Sequence, residues 1–415
     1  MAYLNAEMPD DIEVLMTLDP VATGFYLQMK PEEAHFRRED GTMVVKLKKA
    51  LYGCIQSARL WYDTLRMELE KLGMVANPLD PCVFNLGKGA DQATVIVYVD
   101  DLMIMSKVEG KVESIVSALE SRFKSITVKR GFEHSYLGMQ FDFSDSGRVK
   151  ISMPGYTNDV IEYSEVKGTS RTPAGENLFD SDPTSPLLDA DSANRFHTLV
   201  AKLMYLAKRV RPDLLCSVMY LATKVKSPTV QELKKLNRVI KYLNYTRELG
   251  IVLIAGTGEI GVTAFIDASY GVHTDAKSHS GVYITLGSGP IFAKSSKQKI
   301  VSKSSHEAEL VAASDGGSQV IWTRSFLISQ GYDVGPATIM QDNLATISSL
   351  KKGSTGSEKS RHINIRYYWI QDRISSGELD ISYVSTNSMV ADILTKPLQG
   401  DKFEEMRNLL LNWNA

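Results

Sequence analysis

The sequence predicts an α+β region, then a helical region, then an α/β domain built on a mixed sheet. Three observations carry this: an amphipathic helix beside β-branched runs near the start, a basic helical stretch in the middle, and alternating strand and helix patterns towards the end. A length of 415 residues is enough for two or three cores, and 43% hydrophobic with 23% charged residues is ordinary globular composition. Disordered, collagenous and coiled-coil classes are thereby excluded.

Residues 56–73 space Leu60, Trp61, Leu65, Leu69 and Leu72 for one helical face, with Gly73 where a C-cap glycine belongs. Residues 94–99 (TVIVYV) form a β-branched and aromatic run, and residues 102–105 form a second apolar run. Asp100-Asp101 lies between them as the connection of a hairpin, which predicts two carboxylates at its tip. Residues 172–194 carry five acidic side chains, no basic ones, and prolines at 173, 183 and 186, the pattern of a linker or extended surface loop. Residues 195–250 are helical in pattern, with twelve Lys/Arg against three Asp/Glu, an excess of nine. A solvated helix face is the plain explanation, and a surface for a phosphate backbone is the functional one.

Strand patterns follow at 251–255, 262–266, 282–286 and 290–294, then a long helix at 307–330 and a strand at 337–340. Helices at 344–351 and 363–374, a strand at 380–384 and a last helix at 388–396 complete the expected elements. Together they suggest one mixed domain of roughly 140 residues.

Lys+Arg 47 against Asp+Glu 49 leaves a formal net charge of -2, so a basic nucleic-acid-coating protein is disfavoured. The three cysteines, Cys54, Cys82 and Cys216, are too widely spaced for a CxxC or a zinc site, and suit a reducing compartment. The start has no basic n-region and no apolar h-region, and no apolar run approaches the ~20 residues a bilayer needs. The expectation is an intracellular chain, cytoplasmic or nuclear, with no membrane partner.

Gly256-Thr-Gly-Glu-Ile-Gly261 matches G-x-G-x-x-G, but it opens into a strand pattern instead of a helix, so we read it as a turn between strands. Tyr98-Val99-Asp100-Asp101 carries more. Paired carboxylates flanked by buried-type strands need a compensating charge, and divalent cations supply one, although Asp-Asp is also an ordinary turn dipeptide. Four further acids stand at strand ends and helix starts of the last domain: Asp267, Glu309, Asp342 and Asp392. Each alone reads as a cap or a surface charge; as a set they suit two-metal phosphodiester chemistry.

Residues 47–62 (LKKALYGCIQSARLWY) resemble the segment that precedes the YxDD hairpin in reverse transcriptases of copia-type LTR retrotransposons. Ala201-Lys-Leu-Met-Tyr-Leu, Arg211-Pro-Asp and Ala391-Asp-Ile-Leu-Thr-Lys-Pro-Leu resemble later blocks of that family, in the family's order and across essentially the whole chain. The resemblance implies an α+β polymerase palm and fingers over 1–165, a linker over 166–194 and a helical thumb-like region over 195–250. A ribonuclease-H-like domain over 251–400 and a tail helix over 401–415 would follow. It implies two Mg²⁺ or Mn²⁺ ions per active site, with Asp100 a metal-binding catalytic residue and Asp101 its catalytic neighbour. Gln56, Ser57 and Arg59 fall where the family's template and nucleotide contacts lie. The implied partners are primer-template, dNTP and an RNA/DNA hybrid, with the basic segment tracking the duplex.

The family's first polymerase aspartate sits in a block resembling D-V-x-x-A-[F/Y]-L-N, and Ala2-Tyr3-Leu4-Asn5 begins inside it. The expectation is an N-terminally truncated polymerase with RNA-directed DNA synthesis absent or severely reduced, since Asp10 or Asp11 could substitute only by re-routing the first strand.

In the C-terminal domain, Asp267, Glu309, Asp342 and Asp392 resemble the D-E-D-D set of ribonuclease H, which implies catalytic and metal-binding roles for all four. Glu309 is preferred to Glu307 because Ala-Glu-Leu aligns with the family's inward-facing glutamate. Ser269, Asn343 and the lysines at 294, 297, 299 and 303 are expected substrate contacts, although edge lysines also merely discourage aggregation. Many ribonucleases H carry a histidine before the last aspartate, and residues 383–390 contain none. His362 matches a family block and suits a nucleic-acid contact or packing at least as well as catalysis. Two other readings stand beside this one. A non-catalytic nucleic-acid-binding remnant would bind without cleaving, and a transposase or integrase is disfavoured by the YVDD hairpin and the lack of a His/Cys zinc module.

Overall fold

The computed structural model describes residues 2–124, 126–254, 260–352 and 361–413, without the side chains at 352 and 361–364. Two compact units divide the chain, Met1–Val128 and Lys129–Ala415.

In the first unit, strands β1 (Leu15–Leu18) and β2 (Met43–Lys46) pair as a two-stranded sheet beside helix α1 (Pro20–Met29). Helix α2 (Ser57–Lys71) is followed by the meander β3 (Val75–Asn77), β4 (Asp80–Leu86), β5 (Ala93–Tyr98) and β6 (Asp101–Ser106), then by α3 (Glu109–Phe123). Helix α2 buries Trp61, Leu65 and Leu69 at i, i+4, i+8. It ends in a Schellman motif: Gly73 takes φ +81°, its N–H donates to Glu70 O, and Met74 N–H donates to Leu69 O. On β5, Ala93, Val95 and Val97 alternate inward onto Phe84, Ile115 and Leu119. Sequence placed Asp100 and Asp101 together at the hairpin tip; the turn residues are Val99 and Asp100, because Asp101 already pairs with Tyr98 as the first residue of β6.

In the second unit, β7 (Glu133–Tyr136), β8 (Met139–Asp142) and β9 (Arg148–Ser152) form an antiparallel sheet with β10 (Ile251–Ile254). Sequence assigned residues 251–254 to the C-terminal domain; they instead complete this sheet, since Ile251 and Val252 are buried there opposite Ile151 and Lys150. Helices α4 (Pro154–Ser164), α5 (Ala190–Ala207), α6 (Leu215–Ala222) and α7 (Val230–Tyr245) share one core with it. The acidic segment expected as a linker or surface loop contributes Ala174, Leu178 and Phe179 to that core. Helix α7 clamps it, with Lys235 Nζ donating to Leu178 O and Asp180 O, and Arg238 donating to Thr172. Main-chain carbonyls of an extended segment are the acceptors that a half-buried lysine requires.

The five-stranded sheet has the order β13-β12-β11-β14-β15. Strands β11 (Thr263–Ser269), β12 (His279–Thr285) and β13 (Phe292–Lys297) are antiparallel. Helix α8 (Ser305–Ser329) leads to β14 (Ala337–Gln341), which is parallel to β11 and to β15 (Leu379–Tyr383), with α9 (Leu344–Lys352) and α10 (Arg361–Ser375) between the last two strands. Helix α8 lies so close to the sheet that a Cβ at Gly316 would come within 2.8 Å of Val282 and 2.9 Å of Ile266. The predicted turn at Gly256–Gly261 falls largely outside the described residues.

The helix expected at 388–396 is instead two 3₁₀ turns, Thr386–Ser388 and Val390–Leu394. Pro397 disfavours α geometry at Lys396, where the expected helix was to end. The last helix is α11 (Gly400–Leu411), and the expected tail is part of the core: Phe403, Met406, Leu410 and Leu411 pack with α5–α7. Among the described residues, no helix is long and apolar enough to cross a membrane.

Candidate metal centre

Strands β11 and β14 run side by side in parallel, so their C-terminal ends open at the same edge of the sheet. Asp267 lies near the end of β11, and Asp342 directly follows β14. Glu309, in the second turn of α8, reaches the same place from the helix layer above. Carboxylate oxygens of these three residues all lie within 4.8 Å of one another. Asp267 and Glu309 are buried and Asp342 is half-buried, so the cluster opens to solvent on one side. Burial, and then the neighbouring Asp267 carboxylate, push the Glu309 acid well above the usual carboxylate range.

Gln341 links Glu309 to the ends of β11 and β14. Its amide donates to Glu309 Oε2 at 3.2 Å and to Ile266 O at 3.3 Å, while its carbonyl accepts from the N–H groups of Asp342 and Asn343. Thr386 Oγ1 donates to Asp342 Oδ2 at 2.9 Å, and Thr395 Oγ1 donates to Asp267 Oδ2. Glu307 faces away and accepts from Lys303 N–H, as expected from its place two residues before Glu309.

Asp392 stands beside this trio, facing Asp267 and Asp342. It is buried in the 3₁₀ turn, but among the described residues the gathered set is Asp267, Glu309 and Asp342. Lys396 Nζ sits 2.7 Å from Asp392 Oδ1 and 3.4 Å from the Asp267 carboxylate. Burial and Asp267 still raise the Asp392 acid, against the opposing pull of Lys396. Gln341, Thr395 and Lys396 were not recognised from sequence. The Asp392-to-Lys396 spacing of four was a legible signal, whereas the reach of Gln341 across two strands was not. Three oxygen donors, two of them buried, are a fitting set for a hard divalent cation such as Mg²⁺ or Mn²⁺.

The other expected contacts divide. Ser57 is fully buried and its Oγ accepts from Leu51 N–H, which removes it as a nucleic-acid contact. Gln56 precedes α2 half-buried, and Arg59 is exposed and paired with Asp63 at 2.6 Å. Ser269 is buried at the end of β11, so its expected substrate contact is not accessible. Asn343 Oδ1 accepts from Thr346 N–H at the start of α9, the bond of an N-cap. Lys297 is paired with Asp275 at 2.8 Å, while Lys294, Lys299 and Lys303 are exposed. His362 lies in α10, with its side chain outside the described residues.

At the hairpin, Val99 takes φ +56°, a sparsely populated region for a β-branched residue. Trp61 Nε1–H holds it by donating to Val99 O at 2.6 Å, and Tyr52 Oη donates to Asp100 Oδ2 at 3.4 Å. Asp100 and Asp101 are both exposed. Of the basic excess over 195–250, much is used internally. Arg211 is fully buried, Arg195 binds Tyr163 O, Ser164 O and Glu165, Arg209 stacks on Tyr205, and Lys235 and Arg238 clamp the acidic segment.

Residues 2–174 match the family described as reverse transcriptase (RNA-dependent DNA polymerase). The chain is 31% identical over 418 residues to the Retrovirus-related Pol polyprotein from transposon RE2 of Arabidopsis thaliana, covering 97% of this chain and 26% of that protein. It is 28% identical over 406 residues to the Retrovirus-related Pol polyprotein from transposon TNT 1-94 of Nicotiana tabacum, covering 94% of this chain and 30% of that one. The chain thus spans between a quarter and a third of the length of these relatives. A foamy viral protease-reverse transcriptase solved in complex with ds DNA shares its fold at TM-score 0.50 and 11% identity, over 84% of this chain and 52% of that one.

Proposed function

Because this is a reverse-transcriptase-containing chain of the copia-type retrotransposon Pol family, with a reverse transcriptase fold followed by a ribonuclease-H-like domain, we propose that it hydrolyses the RNA strand of RNA/DNA hybrids. The convergence of Asp267, Glu309 and Asp342 carries this reading. These three would hold divalent Mg²⁺ or Mn²⁺, which supplies an activated water and stabilises the departing 3′-oxygen. Glu309 releases its proton to take part, Gln341 keeps it aimed at the other two, and Thr395 fixes the Asp267 carboxylate from behind. Two-ion occupancy calls on Asp392 as well. Choice of a hybrid would rest on groove shape and 2′-hydroxyl contacts, not on base identity.

RNA-directed DNA polymerisation at Asp100 and Asp101, with primer-template and dNTP, is the weaker activity on this reading. Among the described residues no third carboxylate, histidine or cysteine gathers with them. Primer extension at a normal rate would overturn that part.

The test is cleavage of a labelled RNA/DNA hybrid with Mg²⁺, in wild type and in Asp267→Asn. Cleavage that disappears in the variant supports the enzyme. Binding without cleavage in the wild type favours the non-catalytic nucleic-acid-binding remnant.

A further inference from the structure

We propose that Lys396 is a resident counter-cation of the carboxylate cluster: its ammonium bridges Asp392 and Asp267, and it must leave before Asp392 can serve as a cation ligand. The inference rests on the metal-binding reading of the site and deepens it, assigning to one side chain the control of how tightly divalent ions bind.

The geometry is that of a cation already in place. Nζ lies against both Asp392 and Asp267, two carboxylates whose side chains are 7% and 2% exposed. Such groups stay ionised in a low-dielectric site only beside an opposing charge. Asp392 and Lys396 are joined twice, since Lys396 N–H also donates to Asp392 O at 2.8 Å. The side chain of Lys396 is 37% exposed, so it has a path to water when another cation claims its carboxylates. Lys396 also lines a small cavity with Ile393, Leu398 and Phe403.

An ammonium and a divalent ion that use the same carboxylate compete, and competition appears as linkage. Without the ammonium, the metal-free protein carries an uncompensated acid pair and the cation meets no rival. Thr395, which also donates to Asp267, adds no charge and cannot take over this role.

The experiment uses the full chain with Lys396→Met, Lys396→Gln and Lys396→Arg. Thermal melting is followed in EDTA, and Mg²⁺ binding by calorimetry. The Met and Gln variants are expected to melt lower than wild type in EDTA by about 2 °C or more, with Arg close to wild type. Their Mg²⁺ affinity is expected to rise about ten-fold, a value that allows for solvent screening at the open side of the site. Unchanged melting of the Met and Gln variants in EDTA, or weaker Mg²⁺ binding, overturns the proposal. A wild type that binds no Mg²⁺ would instead sink the metal-binding reading, and the melting comparison would still decide whether Lys396 compensates the acids.

Discussion

Arg211 and Asp213 form an ion pair with no solvent exposure on either side, Nη2 to Oδ2 at 2.7 Å and Nε to Oδ1 at 2.9 Å. The pair sits between α5 and α6, and Arg211 also donates to the Thr246 carbonyl and hydroxyl at the end of α7. Tyr242 Oη donates to Asp213 Oδ2 at 2.7 Å. The Arg-Pro-Asp block is therefore an architectural device within this unit, which removes one arginine from any surface that follows a duplex. Asp213→Asn leaves a buried guanidinium uncompensated and should cost about 3–5 kcal/mol. Urea denaturation measures it, and a loss under 1 kcal/mol would contradict the role.

Gln341 should matter to cleavage without touching substrate. Gln341→Leu keeps the volume, releases Glu309, and should lower hybrid cleavage about 10- to 100-fold with the fold intact by circular dichroism. Cleavage at the wild-type rate would show that Glu309 needs no such support.

Glu309 carries a stability penalty in the absence of metal. Its folded-state acid is raised by burial and by Asp267, so stability is fully present below the unfolded carboxylate range and is lost as pH rises towards the raised folded value. Glu309→Gln removes that loss. The variant should melt higher than wild type in EDTA at neutral pH and lose its Mg²⁺ response, and a lower melting point would be the contrary result.

Histidines 273 and 279 should govern the acid limb. Ser295 Oγ donates to Leu394 O, so His279 Nε2–H donates to Ser295 and His279 Nδ1 accepts from His273 Nε2–H at 3.0 Å. Burial holds His273 down at about 4 and His279 at about 3. Unfolding then takes up protons once pH falls below roughly 6.5, and stability declines from there towards about 4, by up to about 1.4 kcal/mol per pH unit for each imidazole. A variant carrying His273→Asn and His279→Asn should flatten this limb in pH-dependent denaturation; an unchanged slope would refute the assignment.

Gly281 is where packing meets chemistry. A Cβ there would stand 2.7 Å from Thr395 Cγ2 and 2.8 Å from Leu394 Cβ, pushing away the turn that aims Thr395 at Asp267. Gly281→Ala should cost about 1–3 kcal/mol and weaken Mg²⁺ binding in parallel. Loss of stability with unchanged binding would separate the two.

Much of the fold was legible because its signals are local. The α2 face of Trp61, Leu65 and Leu69 and the Gly73 cap follow from spacing, as do the strands either side of Asp100. Strand Ile251–Ile254 was assigned to the wrong sheet because an apolar run does not encode its partner, and the acidic segment was read as exposed because its clamp, Lys235, lies more than fifty residues away. The turn carrying Asp392 is a 3₁₀ run where the sequence pattern predicts a helix.

By itself the sequence determined which residue types were available for metal chemistry and the periodicities that place Asp267, Glu309 and Asp342 at the ends and starts of elements. Only the tertiary structure decided that these three meet, that Lys396 sits between Asp392 and Asp267, and that Ser57 and Ser269 are buried. The physical reason is range. Periodicity and capping act within a few residues, whereas the attraction between a carboxylate and an ammonium depends on a distance of a few ångströms that only the assembled sheet and its covering helix bring about.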